Sequence, residues 1–353
     1  MAGMKLFYEE ILMLSQKFLV PRDHILEKIL LFGNQLTAYS GNCDEAVFDF
    51  QGKGLDTPFG MLYLAFAIKN FKQKYPNVIF TPINHSERWY ASHMGYFQTC
   101  GFEIGKLPGE ANGSDTYLPI TIISVAGLRD QAKNEIKEVG DVIEEYSKKL
   151  SAILLQHDDV STLEILAYTF REVIRNIVEH SKSDTIAFCA QFRTKAKQAE
   201  IAILDTGIGI RSGLSSNPHL KISTDHEALN LALMPGISGK FYKGVKESPY
   251  DVWQNSGYGL FAVSRLCGHG GKFTICSGDT ALALKPEKKE YHQAAFQGTA
   301  LRIILSAAEI RNTKTTLATI MKEGRRLEKE LGLSGVQAST ASKMLSTEFN
   351  KPD

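Results

Sequence analysis

STLEILAYTFREVIRNIVEH, residues 161–180, is the stretch from which the rest of the chain is read. Phe170, Val173, Ile174, Ile177 and Val178 supply apolar groups at helical spacing, which predicts one long helix. Ser161 is the expected N-cap, with Glu164 three residues on. Glu172, Asn176 and His180 stand four apart, so one side of the helix presents a carboxylate, an amide and an imidazole. The apolar filling argues against a plain water-facing edge. Further on, IAILDTGIGI (201–210) reads as an apolar strand that ends in a carboxylate, Asp205, followed by Gly207 and Gly209. A carboxylate at a strand end accepts a hydrogen bond from an exocyclic amine. Glycines beside it permit positive φ and close approach to a flat ring.

Two more pieces follow in order. Gly257-Tyr258-Gly259-Leu260 opens the predicted helix 259–267, and glycines ahead of a helix start leave amide N–H groups free for phosphate oxygens. Gly298-Thr299 begins the last predicted strand, 298–305. Taken singly, each piece has an ordinary explanation: a solvated helix face, a strand-to-loop turn, a tight turn before a helix. As an ordered set they resemble the GHKL superfamily, which includes gyrase B, the ninety-kilodalton heat-shock chaperone, histidine kinases and MutL. The resemblance implies a Bergerat-type α/β sandwich that binds Mg-ATP. It assigns Asn176 to Mg²⁺, a hard cation that prefers oxygen ligands, and Asp205 to the adenine amine, with Thr299 completing that network. Gly207 and Gly209 would admit the base, and Gly257, Tyr258, Gly259 and Leu260 would hold phosphates. His180 falls near the lid that the family places at ALNLALMPGISGK (228–240), where Ser238, Gly239 and Lys240 would approach the phosphates. Glu172, four residues before the metal-binding amide, matches the general base of the family's ATP-hydrolysing members and of anti-sigma-factor serine kinases.

Outside this region the chain divides further. Residues 7–32 carry apolar positions at helical spacing interrupted at Pro21, which predicts two short helices within an N-terminal segment, 1–41. From 42 to 104, strand (46–50), helix (57–75), strand (78–83) and helix (86–102) follow one another, a small α/β unit. FDFQGKGLDTPFGMLYLAFAI and HMGYFQTCGF resemble a STAS domain, the module of anti-sigma-factor antagonists. There Thr57 occupies the phospho-acceptor position, although Pro58 and Phe59 depart from the usual small pair. A helix N-cap with Pro at the first helical position explains the same residues. A linker is expected at 105–117, the ATP-binding domain at 118–308, and a charged helix with a Ser/Thr/Lys-rich tail at 309–353. Within the ATP-binding domain, 118–125 reads as a strand and 134–155 as a helix.

Composition narrows the classes. Forty basic residues face thirty-nine acidic ones in 353, so no bulk field draws the chain to nucleic acid or an anionic membrane. No apolar run approaches the ~18–20 residues a membrane span needs, and five dispersed cysteines fit reduced thiols. The expectation is a cytoplasmic regulatory protein that binds ATP and Mg²⁺ and acts on a protein partner or Ser/Thr phospho-acceptor. A homodimer is compatible with it. It hydrolyses ATP or transfers the γ-phosphate, with a non-catalytic, ATP-gated interaction switch as the alternative. The EVIRNIVEHS helix and the STAS-like region favour the serine-kinase branch. Gyrase, MutL and chaperone activities would need more chain after residue 305.

Overall fold

A computed structural model describes residues 13–156, 160–239, 258–268, 270–286, 288–306 and 313–330. It is an α/β protein built on two sheets. The first is a parallel sheet of β1 (Ser15–Leu19), β2 (Glu45–Asp49) and β3 (Ile79–Ile83), in that order. Its crossovers are α1 (Leu26–Ala38) and α2 (Pro58–Lys74). The second sheet is antiparallel with the order β4-β5-β6-β8-β7. Its strands are β4 (Tyr117–Ser124), β5 (Thr185–Arg193), β6 (Gln198–Asp205), β7 (Lys272–Lys285) and β8 (Lys288–Ser306). The remaining helices are α3 (Trp89–His93), α4 (Tyr96–Thr99), α5 (Val125–Glu135), α6 (Val139–Leu155), α7 (Val160–His180), α8 (Gly209–Leu214), α9 (Asp225–Ala232), α10 (Gly259–Gly268) and α11 (Thr313–Glu330). No described helix is long and apolar enough to cross a membrane.

The antiparallel sheet carries two different faces because successive side chains alternate. Ile186, Phe188, Ile201, Ile203, Phe273, Ile275, Leu301 and Ile303 point to one side and join a core with α5, α6, α7, α9 and α10. Ala187, Cys189, Ala202, Cys276, Ala281 and Ala300 point to the other. Those short side chains let α1 and α2 lie against the sheet, and Tyr63 of α2 packs on Phe296 at 5.0 Å between ring centroids. The opposite side of α2 meets the parallel sheet through Phe71, which contacts Phe18 and Phe48. The two helices therefore form a shared layer between the sheets.

Buried polar groups fix this junction. Glu200, on the small-residue face of β6, accepts a 3.0 Å hydrogen bond from the Phe59 N–H in the first turn of α2 and a 2.9 Å bond from Arg302. Thr57 is the buried N-cap of α2, its hydroxyl accepting from the Gly60 N–H at 3.1 Å ahead of Pro58 at the helix start. Arg88, also buried, donates to Asp56 at 3.1 Å and to the Pro21 and Arg22 carbonyls, tying together the loops at the carboxyl ends of the three parallel strands.

Several sequence expectations need correction. Residues 15–19 form a strand, not a helix; Leu14 and Phe18 mimic helical spacing, but parallel pairing with β2 decides the conformation. The boundary at residue 42 consequently cuts through one unit, since β1 and α1 belong with β2 and α2. The first predicted helix otherwise falls on residues outside those described, as does the tail after 330. The single helix at 86–102 is two short ones, broken at Gly95 (φ 85°), where a Cβ would press on the Pro108 backbone at 3.2 Å. The helix at 134–155 is likewise two: α5 begins directly after β4, capped by Ser124, and Ile136 (φ 54°) ends it before the Glu138/Asp141 capping box restarts the chain as α6. Ser161 does not cap α7, which already includes Val160. The last strand begins at Lys288, not 298, because β7 and β8 continue past a register shift at Gly278 as a long hairpin.

Candidate functional site: a cleft above the acidic strand end

A cleft of about 820 Å³, open to solvent, lies where α7, the end of β6, β8, α8, α9 and the start of α10 meet. Asn176, His180, Asp205, Gly209, Leu260 and Thr299 all line it, together with Ser238 and Gly239. These come from five separate stretches of sequence. Strand pairing explains part of the convergence, since Asp205 and Thr299 are direct neighbours across β6 and β8. The rest follows from α7 packing its Val173 and Ile177 face on the large-residue side of the sheet.

Asp205 is the electrostatic centre. It is 1 % exposed, and its Oδ1 accepts a 2.8 Å bond from the Gly207 N–H, while Oδ2 is buried with no hydrogen bond of normal distance and angle, the neighbouring Thr299 giving the carboxyl only weak support. Burial pushes its pKa up to about 6; the Gly207 amide and the adjacent Thr299 ease the ionised form only in part. Leaving a buried acceptor unmatched costs roughly 1–3 kcal/mol, a cost that a ligand donor would remove.

The glycines divide their work. Gly209 (φ 76°) holds a left-handed conformation at the cleft wall, and a Cβ there would meet Ser277 Oγ at 2.8 Å. Gly207, expected to admit a base, does something else: a Cβ would lie 2.0 Å from the Ser181 carbonyl, so the missing side chain lets the turn seat against the end of α7. The Ile208 N–H completes that seat by donating to the same carbonyl at 2.7 Å. Gly259 allows the first turn of α10 to cross α7 beside Glu172, whose Cβ would be 2.8 Å from any added carbon. Tyr258 departs from the phosphate-binding expectation for its side chain. Its ring is 3 % exposed and packs on Phe261 and on Gly324 of α11, away from the cleft. Gly257 and Lys240 lie outside the described residues.

Glu172 is 2 % exposed and is not among the described residues that line the cleft. Its Oε1 accepts a 3.1 Å bond from Arg175, whose guanidinium also reaches Glu179 at 3.3 Å. One oxygen of this carboxylate is thus held in a buried pair with an arginine one turn along its own helix. Among the described residues no cluster of His, Cys, Asp and Glu is arranged to hold a metal ion by itself. A single amide, Asn176, facing a cleft suits an ion such as Mg²⁺ that keeps most of its ligands from water and phosphate.

Sequence reasoning missed Ser181, Ile210 and Leu214, which also line the cleft. Ser181 follows His180 directly and carried no motif signal of its own. Scanned against models of known protein families the chain matches none, and no curated protein matches it either.

Proposed function

We propose that this protein binds Mg-ATP in the cleft, as a regulatory member of the GHKL type. The buried, unpartnered Oδ2 of Asp205 at the cleft surface carries the reading: it is an acceptor in want of one donor, and an adenine amine supplies one. Thr299 and Gly209 flank the base position, and Asn176 contributes a metal ligand further along the same wall. The triphosphate supplies the oxygen atoms that a lone amide cannot. The first amides of α10 face the phosphates, as helix N-termini do.

Binding without turnover is the reading the Glu172 environment favours. A general base must reach the attacking water or hydroxyl within hydrogen-bond distance, and Oε1 of this carboxylate is engaged by Arg175. In that case ATP acts as the gate of a protein-interaction switch, with a protein partner in place of a phospho-acceptor. Hydrolysis or transfer to a Ser/Thr hydroxyl would need Glu172 to leave Arg175. Burial of Thr57 as a helix cap is at odds with its serving as an acceptor within the same chain, and fits a STAS-like unit used for docking.

Isothermal titration with ATP, with and without Mg²⁺, tests the proposal. We expect one site whose affinity rises with the metal, and in Asn176→Ala a loss of that rise with residual metal-free binding. Equal affinity in both conditions would remove Asn176 from the metal, and absence of binding would end the nucleotide reading. Phosphate release by the wild type, abolished in Glu172→Ala, would restore catalysis.

A further inference from the structure

Ser238 and Gly239 line the same cleft as Asn176 and Asp205, yet they belong to a stretch with no helix or strand of its own. Contacts among the described residues hold that stretch to α8 and the loop after it. Asn217, 5 % exposed, donates from Nδ2 to the Ser238 carbonyl at 2.9 Å. Gly239 lies so close to Gly213 that a Cβ would sit 2.1 Å from the Gly213 carbonyl oxygen. The amide of Asn217 can be oriented only one way. Its Oδ1 accepts from the His219 N–H at 3.0 Å, across Pro218, while its Nδ2 donates to Ser238. Flipped, the side chain would set donor against donor and acceptor against acceptor.

We propose that Asn217 is a positioning residue for the nucleotide site: its amide latches the 237–239 wall over the bound ligand without touching it. The inference rests on the nucleotide reading above. Asn217 does not line the cleft, whereas Gly213 and Leu214 before it and Ser238 after it do. The amide therefore joins two parts of the cleft lining that the chain brings together across 21 residues. Breaking the latch leaves Asp205, Thr299 and Asn176 in place, so a ligand still finds its donors and acceptors. What changes is how long the wall keeps it there, a property of the dissociation rate.

Stopped-flow measurements with a ribose-labelled fluorescent ATP, on the full chain with Mg²⁺, separate the possibilities. In Asn217→Ala the probe should dissociate about tenfold faster, the size expected for the one lost hydrogen bond that reaches the wall, the bond to His219 lying within its own loop. Association should stay within about twofold, and the melting temperature without nucleotide within about 2 °C. Asn217→Asp, which sets a carboxylate against the Ser238 carbonyl, should dissociate faster still. An unchanged dissociation rate in Asn217→Ala overturns the proposal, and so does a slowed association with an unchanged dissociation rate. Should Asn217→Ala not fold, Asn217→Asp decides: it keeps the Oδ1 acceptor for the His219 N–H and removes the donor to Ser238, and a faster dissociation supports the latch while an unchanged one refutes it. A wild type that binds no probe rejects the nucleotide reading itself, a result distinct from a wild type that binds while its variants do not differ.

Discussion

The two faces of the antiparallel sheet are built for different tasks. One carries Ile, Leu and Phe, buries them beneath α5–α7, α9 and α10, and opens at its rim into the cleft. The other carries Ala and Cys, with charged Glu200 and Arg302 beside them, and is closed by α1 and α2. Large residues on the first face make a thick layer with room for a cavity where helices diverge. Small residues on the second bring a helix close enough for backbone groups at its start to bond the sheet. An unmatched acceptor survives on the first face at Asp205; on the second, both oxygens of Glu200 are engaged. The contrast separates a face that holds the molecule together from one that leaves a buried acceptor unmatched beside an open cleft.

The largest effect should come from the closed face. Glu200→Ala strands Arg302 and the Phe59 N–H in a buried junction and should cost about 3–5 kcal/mol in urea unfolding. A loss under about 1 kcal/mol would mean that the junction is wet and the two sheets separable.

On the open face the corresponding test is pH. Burial holds the Asp205 carboxyl at about 6 when folded, against 3.8 for the free side chain. The folded protein therefore binds the extra proton in that window. The resulting stability is complete below about pH 4 and is lost as pH rises through 6. Asp205→Asn removes this dependence, so the variant should gain on the wild type by roughly 3 kcal/mol between pH 4 and 7. Asp56, raised by burial to about 6 against the pull of Arg88, acts in the same direction. His24, held by burial down to about 3, acts in the opposite one, favouring the fold at high pH and losing that as pH falls. Both remain in the variant, so the difference curve isolates Asp205; parallel curves would mean that its carboxyl is solvated.

A smaller effect distinguishes the faces by size alone. Ala202→Leu adds bulk where α2 lies against the sheet and should cost about 1–3 kcal/mol by overpacking. A neutral result would show that α2 stands off.

Legibility followed the range of the interaction. The periodicity of α7, the strand before Asp205 and the glycine before α10 are local patterns; only the family resemblance of the ordered set grouped Asn176, His180, Asp205, Gly209, Leu260 and Thr299, which the structure brings to one cleft. The role of β1 was hidden because its pairing partner lies about thirty residues away, and a five-residue strand with one buried side chain, Phe18, has no period of its own. The Glu172–Arg175 pair was visible as spacing, i to i+3, but not which of several partners the carboxylate takes. The docking of α2 did leave a trace: Ala187-x-Cys189 and Ala202 alternate with Ile and Phe, a pattern that calls for a close neighbour on the small side.

The central claim is that Asp205 receives an exocyclic amine. Equilibrium titration of the wild type and Asp205→Asn with Mg-ATP and with the triphosphate of purine riboside, which lacks that amine, tests it directly. The wild type should prefer ATP by about tenfold or more, and the variant should lose that preference. Equal affinity of the wild type for both ligands would contradict the account.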